Sequence, residues 1–168
     1  MSPAEPLHSR VDLACEQLDV AIELFFADRS FVSALTLAGA AEEILGTELK
    51  NRGGQSTIAR RHAEHQRLYQ RLQDRWLYPN VRFKLRSWAD FIKKANYARN
   101  AAKHIEDKTA PREAYDQFFR DDPRAAAISM VLRAMHNQEM LGLPKSDLGH
   151  RFYGWHLSTI YSDESDEA

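Results

Sequence analysis

Apolar residues along most of this 168-residue chain recur every three to four positions and almost nowhere every second one, which predicts helices and no sheet. Val11, Ala14, Leu18, Ile22 and Phe25 mark one face of a first helix over residues 9–27. Asp28-Arg29-Ser30 interrupts the pattern and supplies a capping serine for a second helix. That helix has Phe31, Leu35, Ala38, Leu45 and Leu49 as its core face and stops before Gly53-Gly54. A third helix is expected over residues 57–76, with Leu68, Leu72 and Trp76 as a narrow apolar stripe, and Tyr78-Pro79-Asn80 breaks the chain after it. Ser87 and Asp90 carry capping-box spacing and open a fourth helix to about Ile105, with Trp88, Phe91, Ala95, Ala98, Ala102 and Ile105 facing the core. A short helix can start at Pro111. Asp122-Pro123 opens the last long helix, to Met140, which Gly142 and Pro144 stop. The aromatic segment Arg151-Phe-Tyr-Gly-Trp155 is expected to pack back on the bundle. The pattern predicts an all-α helical bundle of four to six helices in one domain over residues 9–157, with a flexible N-terminus (1–8) and an acidic, disordered tail (158–168).

Composition narrows the possibilities. The length suits one domain with a real core. No apolar run approaches the ~20 residues a membrane crossing needs. The start, Met-Ser-Pro-Ala-Glu-Pro, has neither the basic end nor the apolar stretch of a signal peptide, so the chain is expected to be cytoplasmic with no membrane partner. Cys15 is the only cysteine, which excludes an internal disulfide and a cysteine-based zinc site. The net charge of −1 conceals a segregation: between Lys50 and Arg86 ten basic residues face only Glu64 and Asp74. The end of the chain, Ser162-Asp-Glu-Ser-Asp-Glu167, is acidic. Arg67, Arg71 and Arg75 repeat at i, i+4, i+8 as one guanidinium row, with Arg60 and Arg61 earlier on the same helix. The row is either a solvated helix face or a strip for a polyanion such as RNA.

The densest chemistry lies in Asn96-Tyr97-Ala98-Arg99-Asn100-Ala101-Ala102-Lys103-His104. Helical geometry sets Arg99 about 70° from the centre of the core face, and Asn100, His104 and Tyr97 on the opposite side. An outer face of Tyr, Ala, Asn and His implies a second contact, with either a homodimer partner across a twofold axis or the chain's own C-terminal segment. On the second helix Glu42 falls in the middle of the core face, where a lone carboxylate is costly. Arg99 is its expected partner, with Glu43 exposed. The pair serves either to fix helix register or to aim Arg99 at a ligand phosphate. His62 and His65 lack an evident third metal ligand, and position 101 is alanine where a di-iron Glu-x-x-His motif requires glutamate. No glycine-rich phosphate loop and no Gly-x-Ser-x-Gly elbow occurs, so no metal or cofactor is expected.

Arg99-Asn100-Ala-Ala-Lys103-His104 resembles the Arg-x4-6-His motif of the HEPN superfamily, including its polar second position. The segment Ala34-Leu-Thr-Leu-Ala-Gly-Ala-Ala-Glu-Glu-Ile-Leu-Gly46 resembles the second helix of many bacterial members, and the likeness spans roughly residues 10 to 140. The resemblance implies a HEPN-like bundle that dimerises, with motifs from two protomers meeting in one cleft. It implies a metal-independent endoribonuclease of toxin or defence type, with RNA as substrate and an antitoxin-like protein as a possible partner. The alternative is a non-catalytic member that binds nucleic acid or protein. In the catalytic reading His104 is the general acid and base, Arg99 holds the non-bridging phosphate oxygens, and Asn100 orients the ring or the phosphate. Glu42, Lys103 and Tyr97 support them, and Arg60, Arg61, Arg67, Arg71 and Arg75 bind the nucleic acid. The angle of about 140° between Arg99 and His104 keeps one protomer from using both on one phosphate, a difficulty a shared site removes. His104 is otherwise a histidine favoured near a helix C-terminus by the dipole.

Overall fold

The computed structural model describes residues 9–74, 87–97, 99–100 and 122–163. Among them are six helices and no strand: α1 (Arg10–Phe26), α2 (Phe31–Asn51), α3 (Thr57–Asp74), α4 (Trp88–Ala95), α5 (Pro123–Met140) and α6 (Asp147–Asp163). Local chemistry accounts for their ends. Ser9 accepts from the Asp12 amide while the Asp12 carboxylate accepts from the Ser9 amide, closing a capping box on α1. Ser30 caps α2, and Asp122 followed by Pro123 caps α5, as expected. Gly53 (φ +78°) and Gly142 (φ +72°) adopt the left-handed conformation that ends α2 and α5.

The core lies where α1, α2 and α5 meet. Leu18, Ile22, Leu35, Leu45 and Val131 are fully buried, among alanines at positions 14, 21, 34, 38, 41, 127 and 134 that are also fully buried. Those small side chains let the helix axes approach closely, and the larger residues interlock between them. The expected core face of α1 holds, except that Val11 is only half-buried.

Three expectations need correction. Residues 147–163 form a sixth long helix, so the chain is helical through Asp163, and residues 158–163 belong to α6 and not to a tail. Ser146 starts α6 by accepting from the Gly149 amide, and Leu148, Phe152 and Trp155 give it an inner face. Phe152 and Trp155 pack on Phe25 with centroids 5.2 and 5.0 Å away, so the aromatic segment does return to the bundle. Arg124 and Arg151 lie over the rings of this cluster. Second, Leu68 is 57% exposed and is no part of an apolar seam. α3 is anchored by its first turns, through Ile58 and His62, and its later residues carry exposed arginines. Third, Trp88 is 42% exposed and covers His62 and Phe91 at the flank, outside the main core. The expected break at Tyr78-Pro79-Asn80, the end of the fourth helix near Ile105 and the short helix at Pro111 lie outside the described residues, as do the ends of the chain (1–8 and 164–168).

Candidate functional site

Glu42 is buried, as its position on the core face of α2 requires, and its side chain is only 6% exposed. Its closest partner is Arg133 on α5, whose Nη2 donates to Glu42 Oε1 at 2.8 Å. The same nitrogen donates to Asn96 Oδ1 at 3.0 Å, and Nη1 donates to the Ala95 carbonyl at 3.0 Å. One guanidinium thus neutralises the carboxylate and also satisfies the end of α4, joining α2, α4 and α5. One turn along α5, Asn137 is fully buried. Its Oδ1 accepts from the Thr57 amide and hydroxyl, both at 2.8 Å, and its Nδ2 donates to the Glu42 carbonyl at 3.1 Å. Gly46 makes room: a Cβ there would lie 3.1 Å from Asn137 Nδ2.

Arg99, the expected partner, reaches Glu42 more weakly. Its Nη1 lies 3.9 Å from Glu42 Oε2 and donates to Glu43 Oε2 at 3.3 Å. Glu43 is exposed, as expected, yet takes the shorter of the two contacts. Nη2 of Arg99 reaches Asn100 Oδ1 only at the 3.5 Å limit. The stem of Arg99 runs across Gly39, where a Cβ would collide with Cδ at 2.5 Å and Cγ at 2.8 Å. Its side chain is 13% exposed, against 4% for Arg133. The acidic centre therefore faces two arginines: Arg133 locked in the interior and Arg99 held at the rim, with one face of its guanidinium lightly engaged.

Of the expected site residues, Glu42, Arg99 and Asn100 come together here, and Tyr97 is exposed on the same helical stretch. Lys103 and His104 lie outside the described residues, as does Arg75. Of the arginines of α3, Arg61, Arg67 and Arg71 are exposed, and Arg60 Nη1 contacts His136 Nε2 at 3.1 Å. His62 is buried against Trp88 and Phe91, each centroid 5.0 Å away, and His65 lies 6.2 Å from Phe91. Among the described residues no three His, Cys, Asp or Glu side chains gather as a metal site would require. Arg133 and Asn137 are not singled out by the sequence pattern, and Asn96 is marked only as the start of the polar stretch that ends at His104. The available signal was the composition of α5, apolar around most of its circumference, which makes polar residues at 133 and 137 buried ones in need of partners.

Comparison of the chain with protein-family models, with curated proteins and with solved structures finds no match.

Proposed function

We propose that the chain is a HEPN-like, homodimeric, metal-independent endoribonuclease whose site is composed from two protomers. The observation that carries the reading is the state of Arg99. Its Nη1 is restrained by Glu43 and Glu42, its stem is seated over Gly39, and its Nη2 stands beside the exposed Asn100. A guanidinium restrained on one side and lightly engaged on the other is prepared to grip phosphate oxygens at small entropic cost. Because Arg133 already neutralises Glu42 at 2.8 Å, Arg99 is not needed to balance the buried charge.

The reading takes the helix on from Asn100 to His104, four residues along and therefore on the same face. His104 removes the proton from a ribose 2′-hydroxyl, and the 2′-oxygen attacks the adjacent phosphorus. The bond from phosphorus to the 5′-oxygen breaks, and the proton is returned to that leaving oxygen. The products are a 2′,3′-cyclic phosphate and a 5′-hydroxyl. Arg99 stabilises the charge that builds on the non-bridging oxygens, and a histidine suits both proton transfers near neutral pH. The test is RNA cleavage in chelator by the wild-type chain and by His104→Ala. Cleavage by the first and a loss of about 100-fold or more in the second supports the reading; equal activity, or none in the wild type on varied RNAs, removes it.

The second reading, a non-catalytic RNA-binding module, is favoured by the exposure of Arg61, Arg67 and Arg71 on α3. RNA binding without cleavage in the same assay selects it.

A further inference from the structure

A groove of about 390 Å³ runs between α3, α5 and α6; it meets the Glu42 network only at Thr57, which bonds to Asn137. Each helix lines it with positions i, i+3, i+4 and i+7, counted from Thr57 on α3, Leu132 on α5 and Tyr153 on α6. One wall is apolar and aromatic: Leu157 and Ile160 flank Tyr153, a residue that is 47% exposed and whose ring makes no ring contact among the described residues. The opposite wall is basic. Arg60 Nη1 lies 3.1 Å from His136 Nε2 and 3.0 Å from Met140 Sδ, neither of them a carboxylate. The other ring nitrogen of His136, Nδ1, lies 3.8 Å from Glu139 Oε2. Glu139 is also held by Lys145 at 3.4 Å. The other carboxylate lining the groove, Glu64, is exposed. Arg60 has no carboxylate partner among the described residues.

The groove does not end the basic track. At 100° per residue Arg60, Arg67 and Arg71 lie within about 20° of one line along α3, so the groove opens onto a row of guanidinium groups about 16 Å long. Arg67 and Arg71 are exposed and, among the described residues, carry no carboxylate partner either. A π-face in a pocket beside a row of cations that lack carboxylate partners among the described residues matches a single nucleic-acid strand, which offers unstacked bases and a repeating phosphate. A duplex keeps its base faces stacked and cannot use Tyr153. We infer that this groove seats one unstacked base of single-stranded RNA against Tyr153, with Arg60, Arg67 and Arg71 following the phosphates. The inference rests on RNA being the ligand, as proposed above, and adds to it the strandedness of the substrate and the surface that receives it.

The test uses the full chain carrying His104→Ala, so that the RNA stays intact, with an unstructured oligouridylate and an RNA duplex of equal length. The single strand is expected to bind at least about tenfold tighter than the duplex, and Tyr153→Ala to remove about tenfold of that affinity while Tyr153→Phe keeps it. Arg67→Ala with Arg71→Ala is expected to flatten the dependence of log K on log salt by about 1.4, at ~0.7 per lost phosphate contact. Equal binding of the duplex, or full affinity in Tyr153→Ala, overturns the assignment. The catalytic reading fails separately. If Tyr153→Ala binds normally but His104→Ala abolishes cleavage, only the groove assignment falls. If His104→Ala cleaves like wild type while Tyr153→Ala loses binding, only the catalytic one does.

Discussion

Two arginines flank one carboxylate in this bundle, and they differ in nearly everything but residue type. Arg133 lies in the interior, gives three hydrogen bonds to Glu42, Asn96 and the Ala95 carbonyl, and ties three helices together. Arg99 lies at the rim, with contacts of 3.3, 3.5 and 3.9 Å and a stem resting on a glycine. A deeply buried guanidinium whose two terminal nitrogens both bond to protein acceptors is part of the frame. One that is restrained yet under-used retains capacity for a ligand. Depth and the short contacts of the terminal nitrogens, more than charge pairing as such, separate the two roles.

Substitutions can break this comparison. Arg133→Met leaves Glu42 in the interior with only the long contact to Arg99, and is expected to cost about 3–5 kcal/mol in denaturant unfolding. Arg99→Met, which removes one long contact and one to an exposed carboxylate, is expected to cost about 1 kcal/mol or less. Equal costs for the two would erase the distinction. Asn137→Ala strands the Thr57 amide and removes the second bond to the Glu42 carbonyl, and is expected to cost about 1–3 kcal/mol in the same measurement.

Gly39→Ala sharpens the contrast from the other side. The added methyl displaces the stem of Arg99, while alanine improves the intrinsic propensity of α2 by up to about 1 kcal/mol. Stability should therefore stay within about 1 kcal/mol of wild type while RNA cleavage falls at least about tenfold. Unchanged cleavage would mean that the placement of Arg99 is not functional.

The smallest effect concerns Cys15, which packs at the edge of the core. Burial, with Asp19 and Asp12 nearby, pushes its thiol above the usual cysteine range, and a hydrogen bond from Gln138 pulls the other way. The thiol stays protonated at neutral pH, so iodoacetamide should modify the folded chain more slowly than a free cysteine. Because the folded state holds this proton more tightly, the small stabilisation it brings is present below the thiol's unfolded value. It is lost as pH rises through the raised one.

Much of the frame was legible along the chain. Ser9, Ser30 and Asp122-Pro123 begin helices where their capping chemistry says they should, and Gly53 and Gly142 end them. Glu42 also declared itself, since a carboxylate amid Leu35, Ala38, Leu45 and Leu49 has to be buried. Its partner was less accessible. Periodicity assigns a face within one helix but does not couple α2 to a helix 91 residues away: it points to Arg99, which does pair with Glu42 at 3.9 Å, and leaves out Arg133, the closer partner. α6 was missed because Gly149 and Gly154 dilute its pattern, although Leu148, Phe152 and Trp155 keep the i, i+4, i+7 spacing. The exposure of Leu68 and Trp88 follows from tertiary placement: only the first turns of α3 reach the bundle, and α4 packs at the flank beside them.

The central claim is that Arg99 of one protomer works with His104 of the other, and mixing two inactive variants tests it most directly. Arg99→Ala and His104→Ala are each expected to fold and to fail to cleave RNA in chelator. After subunit exchange, half of the dimers are mixed and each of those carries one intact composite site, so about a quarter of wild-type activity should return. No recovery on mixing, with exchange verified, or full cleavage by either variant alone, contradicts the account.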